Sequence, residues 1–397
     1  MTTRSPESYS PSRDAKRRKR TENEANCFKL ENNETYEGTC PVFQQPRELT
    51  SYSIDHNRRV WFDNREMKYY YPPTTGKKDL NEGYERTIQR DESISEHIDT
   101  LLDALTHFNS EAKEAATADI VTWRGIMTKI LCTPYARREP WELRATRYKD
   151  TIYLEEQTTE QKKQQESQAT EKQKRMSYWG YRFETLCTLS KPPHLVKKDD
   201  QELQDRLVQN VNTNIQYCIL VKTKLGSSSI IMGAEVDCCR DVKPNDSLKQ
   251  PSNYIELKTS RIIETDRNQY SFERYKLLKF WAQSFLVGVP RIICGFRDDE
   301  GYVLEIKQFK TMEIPRLVRE RKNTWNPSVC LNFANALLEW IKSSITKSDA
   351  AVTYSIQFKY PFEEIKIECT GHAYVFLTQR YLNGTVQQEI GGPRVPV

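Results

Sequence analysis

The sequence lacks several features that would assign it to common functional classes. It has no run of about 18 apolar residues, so no membrane-spanning helix is expected. Its polar, basic start does not resemble a secretory signal, and it has no Gly-rich phosphate loop of either common type. Its ten cysteines include no CxxC pair and its five histidines do not cluster. This usage argues against a zinc site and is typical of reduced thiols inside a cell.

Positive charge is concentrated at one end of the chain. The 397 residues include 60 Lys and Arg and 55 Asp and Glu, and the whole excess lies within residues 1–20. The remainder is neutral, so the body is not a broadly basic nucleic-acid binder, and any phosphate must bind at a local site. The basic run from Lys16 to Arg20 is either a solvated charge cluster or a nuclear import signal.

Strand-like and helix-like segments are mixed without a regular βαβ alternation, which predicts an α+β fold with mixed β-sheets flanked by helices. A hydrophobic fraction of 37% with 11% aromatic residues is sufficient for a folded core. We predict a disordered basic tail over 1–25 and a single domain over 26–390. The predicted elements are strands within 27–72, 215–258 and after Val352, and helices over Ile98–Phe108, 273–287 and from Asn326 to about Lys347.

Acidic residues occur in two strand-like segments that also carry a lysine. Side chains alternate between the faces of a strand, so Glu235 and Asp237 are expected on one face, and Glu256 and Lys258 share a face in the second segment. Two neighbouring strands would bring three carboxylates and one lysine together. Clustered carboxylates repel each other unless a hard divalent cation such as Mg²⁺ or Mn²⁺ lies among them.

Such a group has the chemistry of a phosphoester hydrolase. A divalent metal lowers the pKa of a bound water and offsets charge on phosphoryl oxygens, and a nearby lysine adds a point charge. The order Asp, then Glu-x-Lys, is the layout of a PD-(D/E)XK nuclease core. Two amphipathic strands with solvated outer faces would show the same pattern, so these segments alone leave both interpretations open.

Two further segments contribute polar residues. Glu184 lies in an aromatic run, where it either belongs to a ligand site or pairs with Arg182 at the surface. Gln283 lies off the apolar face of a predicted helix, on one stripe with Lys276 and Lys279. That stripe either meets a phosphate or is a solvated helix face.

Five short blocks follow one another along the chain. In chain order, they are Trp123-Arg124-Gly125, GYRFE (Gly180–Glu184), EVD (Glu235–Asp237), ELK (Glu256–Lys258) and QSFLVG (Gln283–Gly288). Together they resemble a known family, the DXO family of RNA 5′-end decapping nucleases. The resemblance is firm from about Trp123 to Gly301 and weaker outside this range, and no departure occurs at the catalytic positions.

The resemblance implies a metal centre with two ions, Mg²⁺ or Mn²⁺. Glu184, Asp237 and Glu256 would bind the metals, with help from the backbone carbonyl of Leu257. Glu235 would reach a metal directly or through water.

The resemblance also implies the substrate contacts. Lys258 and Gln283 would hold the scissile phosphate and the nucleophile. Arg124 would clamp a phosphate of the RNA 5′ end, a task that suits its guanidinium fork.

The family hydrolyses abnormal RNA 5′ ends, releasing pyrophosphate from triphosphate RNA, an incomplete cap as a dinucleotide, or the NAD cap. The basic tail favours the fungal nuclear RAI-type branch, which implies a nuclear location and a partnership with the nuclear 5′→3′ exoribonuclease. The alternatives are a cytoplasmic relative with its own exoribonuclease activity, a DNA nuclease of the same core fold, and a non-catalytic stabiliser of an exoribonuclease.

Overall fold

Two mixed β-sheets organise the fold. The computed structural model describes residues 26–73, 78–242, 250–319, 321 and 324–385. The strands are β1 (Cys27–Lys29), β2 (Phe43–Ile54), β3 (Val60–Trp61), β4 (Tyr69–Tyr70), β5 (Lys78–Asp79), β6 (Ile120–Trp123), β7 (Trp141–Tyr148), β8 (Thr151–Gln157), β9 (Thr188–Leu189), β10 (Gln216–Leu225), β11 (Ser228–Glu235), β12 (Cys238–Cys239), β13 (Tyr254–Arg261), β14 (Arg291–Arg297), β15 (Tyr302–Lys310), β16 (Thr353–Phe358) and β17 (Glu364–Gly371). Within the described residues, the first sheet has the order β1-β17-β16-β7-β8-β6-β11-β10-β2-β3 and the second has the order β5-β15-β14-β13-β12-β4-β9.

Helices of very different length connect these strands. The α-helices are α1 (Asp99–Glu111), α2 (Arg124–Cys132), α3 (Glu160–Ser167), α4 (Glu171–Cys187), α5 (Glu202–Val208), α6 (Asp266–Ser271), α7 (Leu277–Val287), α8 (Ile314–Val318), α9 (Pro327–Ser344) and α10 (Gln379–Leu382). Short 3₁₀ turns lie at Asn33–Tyr36, Tyr84–Arg86, Pro193–Leu195 and Thr311–Glu313, and a π-helical turn, Phe272–Lys276, joins α6 to α7. Among the described residues, no helix is long and apolar enough to cross a membrane.

The helices pack on the sheets in separate layers. α1 packs on the first sheet, where Leu101 shares a core with Ile231 of β11. α4 covers the second sheet, and its Phe183 shares a core with Leu257 of β13. The largest core joins both sheets and contains Trp281 of α7 with side chains of α2 and α9. The predicted α+β class, with mixed sheets flanked by helices, is confirmed.

Several predicted element boundaries are also confirmed. Asn326 caps α9, because its Oδ1 accepts a 3.0 Å hydrogen bond from the Ser328 N–H. α9 ends at Ser344, earlier than predicted. α7 ends directly before Gly288, which has a φ of 73°, and glycine adopts this left-handed conformation without steric cost.

Two predictions reach beyond the described residues. The basic tail over 1–25, with its run from Lys16 to Arg20, lies outside them. The single domain over 26–390 stays a prediction.

The chain passes from the first sheet to the second directly after β11. β11 ends at Glu235 and β12 begins at Cys238, and these two strands belong to different sheets. Asp237 therefore lies in the crossover and not on the same strand face as Glu235. The expectation that the strands of Glu235 and Glu256 are direct neighbours is wrong, because side-chain alternation assigns faces but not strand order.

Candidate active site

The crossover places Asp237 against the second sheet. β12 and β13 pair antiparallel with Cys238 opposite Ile255. Asp237 therefore lies beside Leu257, whose backbone N–H donates a 2.6 Å hydrogen bond to the Oδ2 of Asp237. The pairing of the two strands thus fixes one oxygen of this carboxylate.

Arg124 reaches the site from the first sheet. β6 and β11 run parallel with Trp123 opposite Gly233. Arg124, directly after β6, and Glu235, the last residue of β11, therefore lie at the same end of the sheet. A Cβ atom on Gly233 would lie 2.9 Å from the Trp123 ring, so glycine is required for this close packing.

Glu256 is held between two cations. Nη1 of Arg124 donates to Oε2 of Glu256 at 2.9 Å, and Nζ of Lys258 donates to Oε1 at 2.7 Å. The side chain of Glu256 is only 1% exposed. Burial acts to raise the pKa of Glu256, but Arg124 and Lys258 outweigh it and lower the pKa to about 2. Glu256 is therefore ionised at neutral pH, and its predicted proximity to Lys258 is confirmed.

α4 supplies a further carboxylate, Glu184, which is half-buried. The alternative that Glu184 pairs with Arg182 at the surface is wrong. Arg182 is 1% exposed, and its guanidinium donates to the backbone carbonyls of Arg206 and Gln209 at 3.2 and 3.0 Å. These contacts place the two side chains in separate environments, because successive positions along a helix do not face each other in pairs.

The carboxylates near Glu256 have raised pKa values. Burial, and then the charges of Asp237 and Glu235, raise the pKa of Glu184 well above its usual range. Burial, and then the charge of Glu256, raise the pKa of Asp237 to about 7. Glu235 is solvent-exposed at the end of its strand. Crowding by protein atoms still raises the pKa of Glu235, although Arg124 opposes the shift.

A cleft of about 190 Å³ adjoins this cluster. Glu184, Glu235 and Asp237 line it, together with Tyr181 and Gln216. We call this feature the carboxylate cleft. Nε2 of Gln216 donates a 3.1 Å hydrogen bond to Oε2 of Glu235, so this carboxylate also has a fixed partner.

The donor atoms of the carboxylate cleft suit a hard divalent cation, because carboxylate oxygens are the ligands such ions prefer. Among the described residues, no three Asp, Glu, His or Cys side chains are grouped so that they could hold a metal ion. Glu256 instead faces Arg124 and Lys258, and Asp237 faces the Leu257 N–H. Metal ligation, including that by the Leu257 carbonyl, stays a prediction.

Gln283 does not line the carboxylate cleft. It lines a second cleft, of about 220 Å³, that also borders Gly125. Lys279 pairs with Glu139 at 3.0 Å, and Lys276 donates to a backbone carbonyl of β13 at 3.2 Å. Both lysines therefore already have partners, although Lys279 and Glu139 line the same cleft as Gln283. The phosphate contact of Gln283 stays a prediction.

The sequence interpretation missed Gln216. This residue begins β10 and contacts Glu235 from the neighbouring strand. Its only signal is an amide at the polar end of an apolar strand, which is too common to identify a site.

The comparisons with known proteins decide the family. Residues 44–382 match a family described as RAI1 like PD-(D/E)XK nuclease. The chain belongs to this family. Decapping nuclease RAI1 of Aspergillus fumigatus is 39% identical over 339 residues, which cover 84% of this chain and 92% of the relative. The decapping and exoribonuclease protein of Xenopus laevis is 38% identical over 363 residues, which cover 88% of each chain.

Solved structures of the family share the fold. Candida albicans Rai1 in complex with pU5 and Mn²⁺ superimposes with a TM-score of 0.82 at 28% identity, covering 90% of this chain and 98% of that chain. Scheffersomyces stipitis Rai1 in complex with (3′-NADP)⁺ and a calcium ion superimposes with a TM-score of 0.81 at the same identity and coverage. The predicted family resemblance, nuclease core and hydrolase class are confirmed.

Proposed function

We propose that this chain is a divalent-metal-dependent hydrolase that removes incomplete or unusual 5′ ends from RNA. The observation that carries the proposal is the carboxylate cleft, lined by Glu184, Glu235 and Asp237, beside the Glu256 carboxylate that Arg124 and Lys258 hold. Clustered like charges with perturbed pKa values in a cleft are typical of functional sites. The names of the relatives, decapping nuclease and decapping and exoribonuclease protein, support the same reaction class.

The ligands of the solved relatives support two substrate classes. Candida albicans Rai1 binds pU5 with Mn²⁺, and Scheffersomyces stipitis Rai1 binds (3′-NADP)⁺ with calcium. An RNA 5′ end and a dinucleotide are therefore the ligands we assign to this chain. We assign Mg²⁺ or Mn²⁺ as the metal, with two ions, because four carboxylates can neutralise two divalent charges.

The metal, when bound, lowers the pKa of a water and offsets charge on the phosphoryl oxygens. Glu184, Asp237 and Glu256 would hold it, with the Leu257 carbonyl, and Glu235 would contact it directly or through water. Each of these four carboxylates, when ionised, offers only oxygen atoms with free electron pairs to a metal ion. The raised pKa values of Glu184 and Asp237 mean that bringing a cation into the cleft releases protons.

The two cations of the site are suited to bind the scissile phosphate. Arg124 and Lys258 only donate hydrogen bonds, and in this structure both donate to the carboxylate of Glu256. A substrate phosphate presents the same negative oxygens to them. Arg124 therefore orients the 5′ end and Lys258 holds the reacting phosphate. Gln283 is assigned to the same phosphate by the family resemblance.

The proposal includes three substrates: 5′-triphosphate RNA, unmethylated-cap RNA and NAD-capped RNA. It also includes the nuclear 5′→3′ exoribonuclease as a partner, and a nuclear location. These last two assignments rest on the basic run from Lys16 to Arg20 and on similarity to RAI1 proteins.

The direct experiment incubates the full chain with each RNA, with Mn²⁺ or Mg²⁺ and with a chelator, and separates the products by size. Metal-dependent release of pyrophosphate, cap dinucleotide or the NAD cap supports the proposal. No release from any of the three RNAs would overturn it.

The same experiment separates the alternatives when a DNA substrate and a complex of the chain with an exoribonuclease are added to it. Mononucleotides in addition to 5′-end products would indicate a relative with its own exoribonuclease activity. Cleavage of internal DNA phosphates at equal rates would indicate a general nuclease. A stabiliser of an exoribonuclease would give no product alone, and Asp237→Asn would leave every activity of the complex intact.

A further inference from the structure

A line of hydrogen bonds leads from outside the carboxylate cleft to Glu235. Nη1 of Arg58 donates to Oε1 of Gln216 at 2.7 Å, and Nε2 of Gln216 donates to Oε2 of Glu235 at 3.1 Å. Arg58 does not line the cleft, whereas Gln216 and Glu235 both do. These two hydrogen bonds therefore connect Arg58, outside the cleft, to the carboxylate of Glu235 inside it.

Arg58 is itself tightly held by neighbouring groups. Nε and Nη2 of Arg58 form a two-point ion pair with Glu96 at 2.9 and 2.5 Å, and Nη1 also donates to the carbonyl of Asn214 at 2.7 Å. Arg90 binds the same carboxylate of Glu96 at 3.1 Å. A side chain with this many partners has very little freedom to rotate, so its contact with Gln216 is fixed in direction.

The backbone at Arg58 has an unusual conformation that neighbouring contacts stabilise. Arg58 has a φ of 62°, a left-handed conformation that is uncommon for a residue with a long side chain. Asp55 stabilises the turn, because its Oδ1 accepts the N–H groups of Asn57 and Arg59 at 2.8 and 2.9 Å. Unfavourable backbone conformations of this kind persist where surrounding contacts enforce them, and they often mark functional positions.

The donors and acceptors in this series of hydrogen bonds allow only one orientation of the Gln216 side-chain amide. An arginine side chain is always a donor, so Oε1 of Gln216 must face Arg58. The NH₂ group of Gln216 must then face Glu235, which can accept this bond as an ionised carboxylate. One oxygen of Glu235 is thereby fixed, and the other stays available to the cleft.

We propose that Arg58 and Gln216 are positioning residues that hold the Glu235 carboxylate in the correct orientation for a divalent cation in the carboxylate cleft. This inference rests on the proposed function, since it assigns Glu235 to the metal centre. Neither residue touches the substrate in this account. Both act through Glu235, as the outer partners of a metal ligand commonly do.

The test measures Mn²⁺ affinity by isothermal titration calorimetry, without RNA, for the full chain and two variants. Gln216→Met keeps the length of the side chain but removes both hydrogen bonds. Arg58→Lys keeps the charge but removes the guanidinium fork. We expect Gln216→Met to weaken Mn²⁺ binding by about 10-fold or more, the range typical of lost outer partners, and Arg58→Lys to weaken it less.

The matched control is Arg65→Met. Arg65 follows the same strand pair, is 41% exposed and pairs with Asp63 at 2.7 Å, and it does not line the cleft. Its replacement should leave the Mn²⁺ affinity unchanged. Circular dichroism and thermal melting of each variant show whether it is folded, and the solvent-facing Gln216→Met remains a usable test if Arg58→Lys is not.

A double variant distinguishes positioning from general damage. If Arg58 acts through Gln216, Arg58→Lys combined with Gln216→Met binds Mn²⁺ no more weakly than Gln216→Met alone. Turnover of 5′-triphosphate RNA should fall in kcat with little change in KM. Wild-type Mn²⁺ affinity and kcat in Gln216→Met, or fully additive effects in the double variant, would overturn the inference.

The outcomes also separate this inference from the proposed function. If the variants weaken Mn²⁺ binding but the wild-type chain releases no RNA 5′ end, the positioning role stands and the proposed function fails. If the wild-type chain processes RNA and the variants match it in both measurements, the positioning role fails alone. If the wild-type chain does not bind Mn²⁺, both fail.

Discussion

Arg124 and Glu256 form a 2.9 Å ion pair that joins the two sheets of the molecule. Arg124 follows β6 of the first sheet, and Glu256 lies in β13 of the second. Because Lys258 binds the other oxygen of the same carboxylate, the pair is part of a buried charged group. The contact therefore contributes both to the junction of the sheets and to the site that lies at this junction.

Replacing Arg124 by Met should destabilise the protein. The change leaves Glu256 buried with one cation instead of two, and breaking a buried ion pair typically costs about 3–5 kcal/mol. We expect a loss of about 2–4 kcal/mol in the free energy of unfolding at pH 7, because Lys258 remains. Denaturant titration measures this loss. The exposed pair of Lys163 with Glu160 supplies the control, Lys163→Met, which should cost far less because solvent screens an exposed pair.

The difference in unfolding free energy between wild type and Arg124→Met should decrease at acidic pH. The pKa of Glu256 is lowered from 4.5 to about 2, so its stabilising effect is complete above about pH 4.5 and is lost as the pH falls toward 2. The gap in stability between wild type and Arg124→Met should therefore narrow over that range. A gap that is constant from pH 7 to pH 3 would contradict the account.

The contribution of Asp237 to the stability of the metal-free protein should fall as the pH rises from about 4 to 7. Asp237 has a pKa raised from 3.8 to about 7, so this group binds more protons in the folded state than in the unfolded state over this range, and at this group a rising pH favours unfolding. Asp237→Asn should reduce this slope in thermal melts with a chelator present. Added Mn²⁺ should stabilise the wild type more strongly at pH 7.5 than at pH 5.5, because binding requires ionised carboxylates.

Replacing Arg182 by Met should disturb the wall of the carboxylate cleft. The guanidinium of Arg182 donates to the carbonyls of Arg206 and Gln209, and Gln209 lines the cleft. Leaving the buried carbonyl of Arg206 and the partly buried carbonyl of Gln209 without these donors should cost about 2–4 kcal/mol of unfolding free energy. The KM for RNA should also rise, measured by steady-state kinetics below the melting temperature, and an unchanged melting temperature would refute the role of Arg182.

His97 should stabilise the protein more at acidic than at alkaline pH. Its hydrogen bond to Glu155, at 2.5 Å, raises the pKa of His97 above 6.5 even though burial opposes the shift. The stabilisation is therefore complete below pH 6.5 and is lost as the pH rises through the higher folded pKa. His97→Asn should tolerate the left-handed backbone at this position, where φ is 47°. Denaturation curves should show a deficit of about 1–2 kcal/mol at pH 6 that shrinks by pH 9.

The local features of the site could be predicted from the sequence. Strand alternation correctly predicts that Glu256 and Lys258 share a face, because their side chains form a 2.7 Å ion pair. Helix signals such as the Asn326 cap were equally reliable because they depend on neighbouring positions only. The substrate class came from the family resemblance, since carboxylates and a lysine indicate hydrolysis without specifying an RNA end.

The long-range features could not be predicted in the same way. The passage of the chain between sheets at Glu235 depends on strand order, which alternation does not contain. The contact of Arg58 with Gln216 joins positions 158 residues apart, and neither has a local pattern that marks it. The sequence shows the residues next to Arg182 but not its burial, so it allows an exposed pair with Glu184 that the structure excludes.

The central claim is that the carboxylate cleft is the site of RNA 5′-end hydrolysis. The most direct measurement is the single-turnover rate of pyrophosphate release from 5′-triphosphate RNA with Mn²⁺, for wild type, Asp237→Asn and Arg65→Met. The account predicts metal-dependent release by the wild type and Arg65→Met, and a rate at least about 100-fold lower for Asp237→Asn, which still folds. Equal rates for wild type and Asp237→Asn would contradict the account.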